Sequence, residues 1–316
     1  MSSICRHDIL HKYLCNKIYT FKFLNKDIFK LKNNTPVVIF NFKKLAHLRQ
    51  IYSAVNNYSP LTFYIVVDQS NSPNSDANRA KIIEEIKRFS FSIPVEIIQP
   101  DKHLGLRNII QFGLNQVFKT EDKVIILEDD TVPSMLFFDY CEKMLDQFEN
   151  ETNVGCINGS NLGIKAGKQH YFKSRVSLPF WGWATWKNRW EKFPNNYQCW
   201  GHFRAKSNTQ LLDFEEVLSI FDRFVEKDKS WDVKWTMYLL ANSLTTIFPG
   251  ENLISNLGFT KDATFTNISN SKFFNLAAEE STFEEPDFEK EIEMENEYLL
   301  KMKELIQEIA RREPSV

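Results

Sequence analysis

The hydrophobic pattern in the first half of the chain alternates between two periods. Residues 36–42 (Pro-Val-Val-Ile-Phe-Asn-Phe) form a short β-branched and aromatic run entered through a proline, which predicts a buried strand. Leu45, Leu48, Ile51, Tyr52 and Val55 then recur at three-and-four spacing, which predicts a helix. A second apolar run, Leu61 to Asp68, ends on an acid, and the polar stretch 69–78 (QSNSPNSDAN) predicts a loop. A helix over 81–89, a strand over 95–98, a helix over 106–118 and a strand over 123–127 complete the series. Strands alternating with helices predict βαβ units, hence an α/β fold with a mostly parallel central sheet flanked by helices. In such sheets ligands gather beyond the carboxyl ends of the strands. Asn41, Asp68 and the run Glu128-Asp129-Asp130 all fall there.

The pattern loosens after Pro133. A helix is predicted to about Phe148, residues 155–205 carry no clear period, and helices are predicted over 211–225 and 233–243. Residues 251–267 read as mixed strand and loop, and the composition turns acidic from Glu279. A final helix, about 288–311, carries Tyr298, Met302, Leu305 and Ile309 as one stripe. That stripe is short, so it predicts packing against the parent domain rather than a coiled coil. The domain reading is a basic and aromatic segment over 1–35, one domain over 36–270 with halves 36–135 and 136–270, and an acidic linker with the C-terminal helix over 271–316.

Composition narrows the classes. With 27 Phe, 10 Tyr and 7 Trp among 316 residues, the chain has too much apolar surface to stay unfolded. The balance of 39 basic against 41 acidic residues argues against a nucleic-acid binder. Arg6, Lys12, Lys17, Lys22, Lys26, Lys30 and Lys32 give the first segment a local positive charge. They read as a solvated face, with weak attraction to an anionic membrane surface as the sharper alternative. Cys5, Cys15, Cys141, Cys156 and Cys199 show neither CxxC nor zinc-type spacing, so they read as reduced thiols. There is no signal-peptide core and no apolar run of about 18 residues. A cytoplasmic protein is expected, peripheral at most at the inner membrane face.

The chemistry starts from what is missing. No GxGxxG follows a strand, and Gly163 to Lys168 falls one residue short of a P-loop, so dinucleotide and kinase readings drop out. Three acids directly after the apolar strand ending at Leu127 are costly unless something compensates them. A divalent cation carrying a diphosphate is the natural partner, because Mg²⁺ and Mn²⁺ take hard oxygen ligands and bridge to phosphate. All seven tryptophans lie between Trp181 and Trp235. In Phe180-Trp181-Gly182-Trp183 a glycine allows close backbone approach between two large rings, which predicts a surface for stacking on sugar, whereas Trp186 and Trp190 read as core. Asp232 precedes an apolar helix, so it is either an N-cap or a general base whose pKa the neighbouring indoles would raise.

Taken in order, several elements resemble a GT-A glycosyltransferase: Val38-Ile-Phe-Asn41 with Lys43 and Lys44, Val66-Val-Asp-Gln-Ser70, Gln99-Pro-Asp101, Gly105-Leu-Arg-Asn108, Leu127-Glu-Asp-Asp130, Gly182-Trp-Ala-Thr-Trp186, Trp231-Asp232 and 254–264. The likeness is to bacterial hemolysin-like nucleotide-sugar transferases and to N-acetylglucosaminyltransferase I, and it covers about three quarters of the chain. It implies a nucleotide-binding half over 36–135 and an acceptor half over 136–270. It implies Asn41, Lys43, Asp68, Arg107, Glu128 and Asp129 against the nucleotide and donor sugar, with Asp68 reading the base. In the DXD-type run, Asp130 would hold Mn²⁺ or Mg²⁺. Trp181, Gly182, Trp183 and Trp231 would line the acceptor, and Asp232 would be the base of an inverting reaction. Phe265 stands where relatives often carry histidine.

The resulting expectation is a metal-dependent inverting hexosyltransferase that moves sugar from a UDP-sugar to a hydroxyl of a glycan or lipid-linked glycan, in bacterial surface polysaccharide synthesis. Two alternatives come from other classes. A sugar-nucleotidyltransferase would show a glycine-rich loop where Asn41-Phe-Lys-Lys44 has none. A non-catalytic glycan-binding module would use the tryptophans and leave the acids structural.

Overall fold

The computed structural model describes residues 19–21, 34–41, 47–69, 73–165, 171–178, 180–194, 196–206, 215–227, 231–258, 273, 276 and 288–310. The strands are β1 (Tyr19–Phe21), β2 (Val37–Asn41), β3 (Phe63–Val67), β4 (Val95–Ile98), β5 (Lys123–Glu128), β6 (Thr131–Pro133), β7 (Val154–Asn158), β8 (Tyr171–Ser174), β9 (Trp183–Trp186), β10 (Thr245–Pro249) and β11 (Ile254–Asn256). The helices are α1 (Leu48–Tyr58), α2 (Pro73–Arg88), α3 (Gly105–Val117), α4 (Met135–Gln147), α5 (Lys187–Trp190), α6 (Gln198–Lys206), α7 (Glu215–Lys227), α8 (Trp231–Ala241) and α9 (Phe288–Ala310).

Among the described residues, nine strands form one mixed sheet in the order β1-β4-β3-β2-β5-β9-β7-β10-β8. Strands β4, β3, β2 and β5 are parallel neighbours. The chain winds outward from β2 through β3 to β4, then crosses back to β5 on the other side of β2. Such a reversal opens a crevice at the carboxyl ends of β2 and β5, as in Rossmann-like sheets. Beyond β5, strand β9 runs antiparallel between β5 and β7, β10 is parallel to β7, and β8 closes that edge antiparallel. Strands β6 and β11 form a separate antiparallel pair, with Asn256 opposite Thr131.

Period-two alternation explains why the central strands read as unbroken apolar runs. Val37, Ile39, Ile125 and Leu127 face one layer with Ile51, Tyr52, Phe137 and Tyr140 of α1 and α4. Val38, Phe40, Val124 and Ile126 face the other with Ile110 and Leu114 of α3 and Trp235 of α8. Both faces are buried. A third cluster joins β8, β10, α7 and α8 to α9, on which Met294, Tyr298, Met302 and Leu305 are buried. The Tyr298 hydroxyl accepts from the Leu178 N–H (3.1 Å) and donates to the Leu178 carbonyl (2.9 Å), and its ring lies 4.2 Å from Phe248. The predicted packing stripe is therefore present for its first three members; the Ile309 side chain lies outside the described residues.

Three expectations are corrected. Helix α2 starts at Pro73, inside the stretch predicted as a loop. Proline suits the first helical position because its missing N–H needs no partner there, and Asp76 in that turn complements the helix dipole. Residues 155–205 hold β7, β8, β9, α5 and α6, each too short to display a period. Strand β1 lies in the segment taken as basic and aromatic, pairing Tyr19 with Ile97.

Among the described residues no helix is long and apolar enough to cross a membrane. Arg189 is buried, with its guanidinium donating to the carbonyls of Glu149 (2.7 Å), Glu151 (3.2 Å) and Val154 (3.3 Å) and lying 4.5 Å over the Trp186 ring. It ties the end of α4 to the start of β7.

Candidate active site

The crevice at the switch point is built from β2 and β5. Phe40 pairs with Glu128, so Asn41 stands beside the acidic run. The Thr131 hydroxyl accepts the Glu128 N–H and donates to the Glu128 carbonyl, both at 2.9 Å. That double contact turns the chain sharply between β5 and β6 and presents the three acids in succession. Asn41 and Asp129 are buried at 3% and 6% exposure. The Asn41 Nδ2 donates to the Tyr52 hydroxyl oxygen at 2.6 Å. Burial pushes the Tyr52 phenol well above its ordinary pKa, and the Asp129 carboxylate adds to the rise. The Asn41 Oδ1 is buried with no hydrogen-bond partner among the described residues. A buried acceptor left in that condition favours a donor or cation arriving with a ligand.

Asp130 is held from the other side by the β6–β11 pair. The Leu257 N–H donates to the Asp130 carbonyl at 2.8 Å, and the Gly258 N–H donates to the Asn256 Oδ1 at 2.6 Å. The Asp130 carboxylate rests against Gly258: a Cβ there would sit 2.3 Å from Asp130 Oδ2.

Asp68 closes the neighbouring strand end. Its carboxylate accepts from the backbone N–H groups of Gln69 (2.8 Å), Leu104 (3.0 Å) and Gly105 (2.7 Å), and His103 Nδ1 lies 3.0 Å from Oδ2. Three backbone donors thus hold the carboxylate, while the same His103 Nδ1 lies closer still, 2.7 Å, to the Gln69 carbonyl. Asp68 therefore ties β3 to the start of α3, a role its position at a strand end did not announce. Arg107 sits in the first turn of α3, half-buried on the same edge. Lys43 and Phe265 lie outside the described residues.

The tryptophans correct the sequence reading. Trp183, Trp186, Trp190, Trp200, Trp231 and Trp235 are all at most 5% exposed. Trp183 stacks on Trp231 (5.4 Å, 23°) and packs against Phe180 and Trp190, while Trp235 stacks on Tyr238 (5.4 Å, 16°). Trp183 and Trp231 thus spend their faces on other rings in the core. Trp181 alone of the four predicted lining residues keeps partial exposure. Gly182 is corrected too. What approaches its backbone is Ile254 of β11, which a Cβ would meet at 2.4 Å, and its φ of +63° lies in the left-handed region. Gly182→Ala combines that backbone strain with overpacking and is expected to cost about 3 kcal/mol. Gly201, in helix α6 with nothing within 4 Å of a Cβ, is the control: Gly201→Ala should be neutral or gain up to about 1 kcal/mol in urea denaturation.

Asp232 lies in the first turn of α8 and accepts the Val233 N–H at 2.9 Å. Trp231 stacks on Trp183, and Trp183 pairs with Ile126, two residues before Glu128. The first residue of α8 is thereby packed on the β9 strand that pairs with β5. Desolvation raises the Asp232 carboxyl to about 6, against a lowering pull from the backbone N–H. Two positions on, Lys234 is buried with its ammonium 5.0 Å over the Tyr197 ring.

The fold thus gathers Asn41, Glu128, Asp129 and Asp130 at the carboxyl ends of β2 and β5, with Asp68 and Arg107 at the adjoining strand end, while Asp232 opens α8, whose Trp231 stacks on Trp183 of the strand beside β5. The sequence reading missed Tyr52 as the partner of Asn41, because a tyrosine at helical spacing looks like core. It also missed His103 and the pair Asn256–Gly258, whose only local signal is an Asn-x-Gly turn. Among the described residues no group of three or more His, Cys, Asp or Glu side chains is placed to hold a metal ion. Asp130 Oδ2 and Asn256 Oδ1 are the side-chain oxygens that a Cβ on Gly258 would meet first. A magnesium-like cation held by a single carboxylate such as Asp130 would have to complete its shell with substrate phosphate and water. A separate cavity of about 220 Å³ opens at the amino ends of β7 and β10, lined by Asn188, Arg189, Lys192, Tyr238 and Asn242, remote from these acids.

Sheet and crevice define an α/β protein with a large, mostly parallel mixed sheet flanked by helices. Neither a protein-family model nor a curated protein sequence matches the chain.

Proposed function

We propose that this protein is a metal-dependent inverting glycosyltransferase of the GT-A type, moving a sugar from a nucleotide sugar to a hydroxyl. The observation that carries the reading is the acidic run at the switch point, where Phe40 of β2 pairs with Glu128 of β5; the Asp232 carboxyl at the start of α8, which desolvation raises to about 6, supports it as the base. Asp130 would hold Mn²⁺ or Mg²⁺, and a divalent cation bound there neutralises charge on a departing nucleoside diphosphate. Asn41, Glu128 and Asp129 would accept hydroxyls and orient the nucleoside and donor sugar. Asp232 would take the proton of the acceptor hydroxyl as its oxygen bonds to the anomeric carbon. The bond from that carbon to the diphosphate breaks on the opposite face, so configuration inverts. Of the predicted sugar-facing rings, Trp181 remains for the acceptor. UDP-sugar as donor and a glycan or lipid-linked glycan as acceptor, with work at the cytoplasmic face of a membrane in surface polysaccharide synthesis, belong to the same proposal and rest on the resemblance.

Calorimetric titration with UDP, with and without Mn²⁺, tests it. Wild-type protein should bind UDP in a metal-dependent manner, and Asp130→Asn should weaken that binding by about 10-fold or more, with loss of nucleotide-sugar turnover. UDP binding that ignores Mn²⁺, or no UDP binding, would count against the reading and favour a lectin-like module.

A further inference from the structure

Asn256 and Gly258 lie outside the acidic run, yet Gly258, bonded to the Asn256 amide, packs against Asp130. Strand β11 is pinned opposite β6, with Asn256 facing Thr131, the residue after Asp130. Asn256 is 5% exposed, and its Oδ1 accepts the Gly258 N–H at 2.6 Å. A Cβ on Gly258 would lie 2.3 Å from Asp130 Oδ2 and 2.8 Å from Asn256 Oδ1, so both oxygens occupy the space a side chain at 258 would take. On the main chain, Leu257 donates to the Asp130 carbonyl. Removing the Asn256 amide frees the Gly258 peptide to turn, and adding a methyl at 258 displaces the carboxylate. A cation ligand must be held within about half an ångström to bind well. Asn41, whose buried Oδ1 has no partner among the described residues, ends the neighbouring strand β2, directly after the Phe40–Glu128 pair.

We propose that Asn256 is a positioning residue for Asp130: it fixes the Gly258 backbone as a seat for the carboxylate, and so sets the affinity for the divalent cation. The inference rests on the metal-dependent reading above. Chemically it needs an acceptor oxygen at 256 and no side chain at 258, so Asn256→Asp should preserve the seat where Asn256→Ala removes it.

The test uses the full chain with Mn²⁺ as probe, bound metal being read from the paramagnetic resonance of free Mn²⁺ with and without UDP. Unfolding curves monitor the fold. Asn256→Ala and Gly258→Ala should each weaken Mn²⁺ binding by about 10- to 100-fold, with Asn256→Asp at or above wild-type affinity. Wild-type Mn²⁺ affinity in a folded Asn256→Ala or Gly258→Ala protein overturns the positioning role while leaving the glycosyltransferase reading intact. Wild-type protein that binds no Mn²⁺, with or without UDP, overturns both. Should Asn256→Ala not fold, Gly258→Ala and Asn256→Asp decide the matter between them.

Discussion

Asp232→Asn should lose transfer by roughly 10²–10⁴-fold while becoming more stable at pH 8. The two effects have one cause. Desolvation raises the half-buried Asp232 carboxyl from 3.8 to about 6, so the folded protein holds its proton more tightly than the unfolded chain does. Between those values the folded state binds more protons, and stability therefore falls as pH rises from about 4 to about 6. This group stabilises fully below its unfolded pKa and carries its penalty above pH 6. A tenfold change in proton affinity is worth about 1.4 kcal/mol, offset in part by the favourable place of a charge in the first turn of α8. Asparagine keeps an acceptor for the Val233 N–H and removes the desolvated charge. A gain of about 1–2 kcal/mol in urea denaturation is expected at pH 8, vanishing below about pH 4. In parallel, wild-type turnover should fall about tenfold per pH unit as pH drops below about 6, because the protonated carboxyl cannot accept the hydroxyl proton. Unchanged turnover in Asp232→Asn, or a loss of stability in that variant at pH 8, would leave Asp232 as a helix-start residue only.

Trp183→Ala should cost about 3–5 kcal/mol, the range for deleting a fully buried large aromatic. Its ring contacts Phe180, Trp190, Trp231 and Trp235, so truncation opens a cavity bounded by rigid rings that collapse poorly. Trp181→Ala should cost only about 1 kcal/mol, since its ring is partly exposed. If acceptor binding depends on indole stacking, it should fail in Trp181→Ala and survive in whatever fraction of Trp183→Ala remains folded. A stable Trp183→Ala protein with lost glycan binding would restore the surface role that the sequence alone suggested for this ring.

That contrast shows where sequence reasoning stopped. Strands β2 to β5 were legible within a residue or two, because runs such as Val37–Phe40 and Val124–Leu127 must bury both faces and admit few other readings. The acids after β5 were legible as well, since charge directly beyond a buried strand is costly without a partner. The tryptophans were not. A cluster of rings looks the same in one dimension whether it meets ligand or other rings, and only the stacking of Trp231 on Trp183 decides between them. Gly182 failed in the same way: the need for close approach was readable, but the approaching group is Ile254, far along the chain.

The sequence by itself determined an α/β protein with a parallel central sheet, carboxylates at the strand ends and a packed C-terminal helix. These follow from local period, charge and chain direction, which neighbouring residues carry. Tertiary structure decided the rest: that Asp68 clamps α3, that Trp231 at the start of α8 stacks on Trp183 beside β5, and that the Asn256–Gly258 turn lies against Asp130. Each of those depends on contacts between residues far apart in the chain, whose distances arise only when the sheet closes its order and buries both faces.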